Sequence, residues 1–272
     1  MNYTIIKNYK INAFSSKNIF LENIKDSKKI LIAMNAEKIM KNNEKLKKII
    51  NNNIGYTDGF GAVLALKAKG LKAIKLPGSE LWLDIIQKFE KTKTFYFIGS
   101  TEKVIKNTIK KLKKEYPHIE VIGYRDGFLK ENDKEKLMLE LKKLKPDVVF
   151  VAQGSPRQEF LMDELITHHP ALYMGLGGSF DIYGGDKKRA PKLFLNLELE
   201  WFYRLLKEPT RVGRQFALIK FLIFIGEELF FQKINKLKPQ QASLSALKKI
   251  TIAKLYVKLS KYSYLNDNKP NY

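Results

Sequence analysis

Between Phe95 and Gly175 short apolar runs alternate with amphipathic stretches of helical length, and no other feature of the chain limits its fold as much. Phe95–Ile98, Ile119–Ile122, Val148–Ala152 and Ala171–Gly175 are each too short for a helix and have the composition of buried strands. Glu102–Lys114, Asp133–Leu144 and Gln158–Thr167 lie between them with helical spacing. Single helices between successive strands imply βαβ units, and such units build a parallel sheet. The pattern extends upstream. Ile30–Met34 reads as a strand, and Ala36 to Ile50 carries helical spacing at Ile39, Leu46, Ile49 and Ile50. Tyr56–Gly59 reads as a strand end or turn, and Gly61–Lys69 and Leu81–Phe89 as helices. Residues 1–29 give no clear pattern. The expected fold is α/β: a Rossmann-like, mostly parallel sheet with helices on both faces. Ligands of such sheets bind at the carboxyl ends of the strands.

After Pro191 the strands stop. A helix is expected over Lys192–Lys207, ended by Pro209, and a second over Arg214–Lys233, with the apolar runs Phe216–Ile219 and Phe221–Ile225. A third segment, basic and loosely amphipathic, runs from Pro239 to about Lys261, followed by a tail whose composition suits disorder. The chain therefore divides into an α/β core over 1–200, a basic helical appendage over 201–240, and a basic amphipathic or disordered tail over 241–272. No internal repeat is visible.

Fifty Lys and Arg against 28 Asp and Glu leave a formal charge of +22, which calls for an anionic partner: nucleic acid, an anionic membrane face or a phosphorylated substrate. An abundance of Lys, Ile and Asn accounts for much of that charge by composition alone. The absence of cysteine excludes disulfides and thiolate metal sites. Met1-Asn2-Tyr3-Thr4 begins no basic region followed by an apolar run, so a cytoplasmic protein is expected. No apolar run approaches the roughly 18 residues of a spanning helix.

Three strands end in turns of small residues: Gly99-Ser100-Thr101, Gly154-Ser155-Pro156, and Gly175-Leu176-Gly177-Gly178-Ser179. Small side chains let backbone N–H groups approach an anion, and a helix N-terminus adds partial positive charge. Together they favour a phosphorylated ligand. Gly175-x-Gly177-Gly178 lacks the full dinucleotide fingerprint and follows the last strand rather than the first. Asp58, between Thr57 and Gly59, stands where a carboxylate reaches a ligand as a general base, and equally where an Asp forms a turn or caps a helix. Gln158 and Glu159 either bond a sugar or base or simply open a helix. Asp181 is a cap or a ligand contact. His118, His168 and His169 lie beside loop or Pro signals without metal spacing and read as solvated loop residues. No Asp-x-Asp pair is present, so a departing diphosphate would be met by Arg, Lys and backbone donors. The segment 211–237 reads either as a core helix or as a helix lying on anionic lipid, with Arg211, Arg214, Lys220, Lys233 and Lys236 as its basic residues.

In order and spacing, several segments resemble the bacterial WecG/TagA/CpsF glycosyltransferase family from about Ile30 to Arg214. They are Asn35-Ala36-Glu37, Thr57-Asp58-Gly59-Phe60-Gly61, Pro77-Gly78-Ser79-Glu80-Leu81, Phe97-Ile98-Gly99-Ser100, Gly154-Ser155-Pro156-Arg157-Gln158-Glu159, Gly175 to Asp181, Arg189-Ala190-Pro191 and Glu200-Trp201-Phe202-Tyr203-Arg204. The resemblance implies an inverting transferase that works without a metal or other cofactor. It would move a sugar from a UDP-sugar donor to a polyprenyl-diphosphate-linked saccharide at the inner face of the cell membrane. Asp58 holds the position of the family's proposed general base. Asn35 and Gln158 match positions lining the nucleotide-sugar pocket, and Lys75, Gly99, Ser100, Gly177 and Asp181 complete the expected donor side. Arg204, Arg211 and Arg214 lie in the C-terminal segment expected to steady the diphosphate. The sequence departs from the family at Ala33, often Thr, and at Lys75, often Arg; Lys keeps the charge and loses the bidentate fork.

Two other functions compete with this one: a non-catalytic scaffold of a polysaccharide-synthesis complex, and a basic nucleic-acid-binding protein. No nucleic-acid module is visible, so nucleic acid is not the expected partner. A homo-oligomer is compatible with the sequence.

Overall fold

The structure, a computed structural model, describes residues 1–41, 43–186, 191, 194, 203, 205–206 and 212–236, without the side chains of 131, 212–215 and 231–236. Most of the helix expected over Lys192–Lys207, the tail over 241–272, Arg204 and Arg211 lie outside the described residues. So does the side chain of Arg214.

The chain opens with an antiparallel hairpin, β1 (Asn2–Ile6) and β2 (Tyr9–Ala13), and helix α1 (Lys17–Ile24). This hairpin carries no legible sequence pattern because it is short and its first strand is largely exposed. Next come β3 (Ile30–Met34), α2 (Ala36–Met40), α3 (Glu44–Asn52), β4 (Ile54–Thr57), α4 (Phe60–Ala68), α5 (Gly78–Phe89) and β5 (Thr94–Gly99). Then α6 (Glu102–Glu115), β6 (Glu120–Arg125), α7 (Glu131–Leu144), β7 (Val148–Ala152), α8 (Arg157–His168), β8 (Leu172–Gly175) and α9 (Ser179–Tyr183) follow. A long helix, α10, spans Val212–Lys236.

The single helix expected over Ala36–Ile50 is two. Asn35 caps α2, its Oδ1 accepting from Lys38 N–H, and Asn43 caps α3 by accepting from Leu46 N–H. An Asn side chain that satisfies a helix's first N–H groups starts a new helix in the middle of a continuous periodicity.

β3 to β8 form one six-stranded sheet in the order β4-β3-β8-β7-β5-β6, and every pairing is parallel. β7 and β8 are buried along their whole length, as a sheet covered on both faces requires. Alternate residues serve opposite faces. Leu31, Phe95, Phe97, Val148, Phe150 and Met174 share one core with Phe20 of α1, Trp82 of α5, Ile105 of α6 and Phe180 of α9. Phe95 and Phe150 stack, and Trp82 meets Phe150 and Phe180 edge-on. α8 packs on β3, β7 and β8, with α3 and α7 against it. The Rossmann-like α/β expectation therefore holds.

The chain forms two compact units, Met1–Ile223 and Phe224–Tyr272, and the division falls within α10. In the first unit Phe221 is fully buried, and a methyl group on Gly61 of α4 would lie 3.1 Å from its ring. Phe216, Ile219 and Ile223 are 58%, 54% and 58% exposed. This part of α10 thus buries a narrow stripe and leaves several apolar side chains exposed. Among the described residues no helix is long and apolar enough to cross a membrane.

Candidate active site

Because all six strands are parallel, every loop that follows a strand emerges at the same edge of the sheet. Asn35 follows β3, Asp58 follows β4, Ser100 follows β5, Gln153 and Gly154 follow β7, and Gly177 follows β8. Residues scattered over more than a hundred positions are brought to one edge. At the opposite edge a cavity of about 550 Å3 is lined by Lys28, Lys93, Lys145 and His168 among others. None of the predicted site residues lines it, and the general rule for open α/β sheets favours the carboxyl edge.

Asp58 is partly exposed and stays tied to both neighbouring segments. Its N–H donates to Met34 O of β3, and its Oδ1 accepts from Gly78 N–H at 2.7 Å. Gly78 is the first residue of α5, so the carboxylate satisfies one of that helix's unpaired donors, where negative charge is favoured. The capping role weighed for Asp58 is therefore real, although the helix capped is α5 rather than the α4 that follows. A methyl group on Gly78 would lie 2.8 Å from Tyr56 Oη and 3.5 Å from Asp58 Oδ1, which places the tyrosine hydroxyl beside the same turn. Tyr56 is fully buried and its hydroxyl has no hydrogen-bond partner. Burial, reinforced by the nearby Asp58 and Glu159 carboxylates, holds its pKa well above the usual phenol value, so it remains an O–H donor.

Asn35 stands next to Asp58: a methyl group on Gly59 would touch Asn35 Cβ at 3.3 Å. Across β3 and β8, Gln158 is buried at the start of α8 and accepts Gly177 N–H on its Oε1 at 2.8 Å. Gly177 has φ +59, and its glycine permits the left-handed turn that aims this N–H. A side chain at Gly175 would meet Gln158 Nε2 at 2.4 Å, so the amide fills the space that glycine leaves. On the far side Ser100 Oγ donates to Asp181 Oδ1, joining the β5 loop to α9. Gly127 N–H donates to Ser100 O, and Gln153 Nε2 to Gly127 O, lacing the loops after β5, β6 and β7 together. Asp181, in the first turn of α9, is thus bonded to the β5 loop. Lys75 is exposed on the segment after α4, whose Leu76 N–H bonds Thr57 O. Ala33 is partly buried and packs against the core.

Glu159 opens α8, as one of its two readings had it, and does not face the edge: it is 1% exposed and pairs with Lys38 of α2 at 2.6 Å. Lys38, Tyr56 and the Gly78 N–H were not singled out in the sequence, because only the sheet order brings them beside the predicted residues. His169 is only partly exposed, its Nε2 2.7 Å from Pro146 O, whereas His118 and His168 are exposed as expected. Among the described residues no three His, Asp or Glu side chains gather into a set that could hold a metal ion.

The parallel α/β sheet thus gathers a carboxylate, two amides and glycine turns at its carboxyl edge, the edge where open α/β sheets bind their ligands. Residues 4–238 match the Glycosyl transferase WecG/TagA/CpsF family, and the chain belongs to that family. It is accordingly a glycosyltransferase with a role in cell-surface polysaccharide synthesis.

Proposed function

We propose that the chain transfers a hexosyl group from a UDP-sugar to a polyprenyl-diphosphate-linked saccharide, inverting the anomeric carbon. The observation that carries this reading is the setting of Asp58, partly exposed at the carboxyl end of β4, beside Asn35 and oriented by the Gly78 N–H. One carboxylate oxygen held by a backbone donor gives the group a fixed direction, as a general base needs. Asp58 takes the proton of the acceptor hydroxyl as that oxygen bonds to the anomeric carbon. The bond from that carbon to the diphosphate breaks on the opposite face, and UDP departs with the electron pair. Asn35, Gln158 and the turns at Gly99-Ser100 and Gly177, with Asp181, form the donor side. Lys75 and the C-terminal arginines Arg204, Arg211 and Arg214 counter the charge of the diphosphate. The transferred sugar is N-acetylmannosamine, its uronic acid, glucose or a similar hexose.

The exposed apolar residues Phe216, Ile219 and Ile223, in a chain of charge +22, support a peripheral position on an anionic membrane face, where a polyprenyl acceptor would be held. The test is UDP release from a panel of UDP-sugars with a synthetic lipid-diphosphate-sugar acceptor, using wild type and Asp58→Asn. Asn still accepts the Gly78 N–H, so the variant is expected to fold and bind UDP while turnover falls by about 100-fold or more. Near-wild-type turnover in Asp58→Asn would remove Asp58 from the role of base. UDP binding with no release from any donor would point to the scaffold role or to an acceptor outside the one supplied.

A further inference from the structure

The buried ion pair between Lys38 and Glu159 lies beneath the site, and the mechanism above does not use it. Its side chains are 8% and 1% exposed, and Lys38 Nζ lies 2.6 Å from Glu159 Oε1. The second oxygen, Oε2, is buried with no hydrogen bond. Burying two charges is costly, and an apolar pair of similar volume holds two helices together at least as well. The position of this pair points to a different role. Lys38 belongs to α2, and its own N–H is the donor that holds Asn35 Oδ1. Glu159 follows Gln158 in α8, and the same Oε1 that meets Lys38 also lies 3.5 Å from Gln158 Nε2, the outer limit of a hydrogen bond. An ionised carboxylate only accepts, so it draws the NH2 end of the Gln158 amide towards itself and leaves Oε1 for Gly177 N–H.

We propose that Lys38 and Glu159 are positioning residues: the pair sets the spacing between the β3 and β8 sides of the site and fixes which end of the Gln158 amide faces the Gly177 turn. The inference rests on the reading of Asn35 and Gln158 as donor-side residues. The pair itself touches no ligand, because it is buried; it acts through Asn35 on one side and through Gln158 and Gly177 on the other. A neutral residue at 159 would let the amide turn over. Its NH2 would then oppose the Gly177 N–H, and the turn that supplies a backbone donor would loosen.

Glu159→Gln alone leaves Lys38 charged and buried, so it lowers stability whatever the role of the pair. The deciding variant is Lys38→Met/Glu159→Leu, which removes both charges at similar volume. It is expected to melt near or above wild type. Its KM for the UDP-sugar and its Kd for UDP are expected to rise roughly tenfold or more, because small misplacements at a site are costly, while kcat at saturating donor changes much less. Gln158→Ala is measured alongside. If Gln158→Ala raises the donor KM and the stable double variant does not, the positioning role is overturned and the donor-side reading stands. If neither variant moves the donor KM or the UDP Kd, the donor-side reading falls and the positioning role with it. If the double variant unfolds, the pair is an ordinary structural tie and the inference is overturned.

Discussion

Gly175→Ala tests the site through one added methyl group. The new carbon would lie 2.4 Å from Gln158 Nε2, 2.8 Å from its Cδ and 3.1 Å from Met162 Cε. β8 cannot move away easily, because it pairs with β3 on one side and β7 on the other, and Leu176 N–H bonds Val151 O. The end of the Gln158 side chain must yield instead, and its bond from Gly177 N–H goes with it. Losing that bond costs about 0.5–1.5 kcal/mol, and crowding the buried amide adds about 1 kcal/mol. The sum, roughly 1.5–2.5 kcal/mol, lowers Tm by about 3–10 °C in a chain of this size. Activity should suffer more than stability: an amide displaced by about 1 Å can cost 10²-fold in kcat/KM. The assay pairs a thermal melt with UDP release at varied donor concentration. Gly177→Ala is the comparison, since its left-handed φ of +59 strains alanine while no atom lies within 4 Å of the new methyl. A normal Tm and normal turnover in Gly175→Ala would refute the packing argument. A lowered Tm with unchanged kcat/KM would show that the position of Gln158 is irrelevant to the donor.

Three further outcomes are expected. Tyr56→Phe removes a buried hydroxyl that has no partner, a group that costs about 1–3 kcal/mol when unsatisfied, so Tm should stay level or rise; a fall would show that the hydroxyl is bonded. Asp163 of α8 has its pKa raised by burial, against a smaller lowering by Lys45, so the folded state holds its proton more tightly than the unfolded chain does. Its contribution to stability is present below the unfolded pKa and is lost as pH rises through the folded one, so Asp163→Asn should melt higher than wild type at pH 7, with the difference closing below about pH 4. Phe216→Ser/Ile219→Ser/Ile223→Ser removes three exposed apolar side chains and should weaken binding to phosphatidylglycerol vesicles at least about tenfold with little change in Tm. Unchanged vesicle affinity in a sedimentation assay would show that this face does not meet lipid.

Local physics makes much of the fold readable from the residues alone. Apolar runs of four or five residues between amphipathic stretches admit little but βαβ units, so the sheet, its parallel sense and its layers were legible. The ends of the strands were legible too: Asp58, Gly99-Ser100, Gly154 and Gly177 mark places where small or turn-forming residues stop a strand. The break between α2 and α3 was missed because the apolar spacing runs through it, although Asn43 stands there as a cap. Which strand ends are neighbours depends on long-range pairing. The order β4-β3-β8-β7-β5-β6 sets Asp58 beside Asn35, and Asn35 across from Gln158 and Gly177, although β3 and β8 are separated by most of the core. Strand order arises from long-range pairing and from helices packing on two faces, which no local window contains. The same packing turned Glu159, a plausible surface carboxylate at a helix start, inward onto Lys38, 121 residues away. A buried charge is stable only where its partner arrives from elsewhere in the fold, so no window around Glu159 could have supplied it.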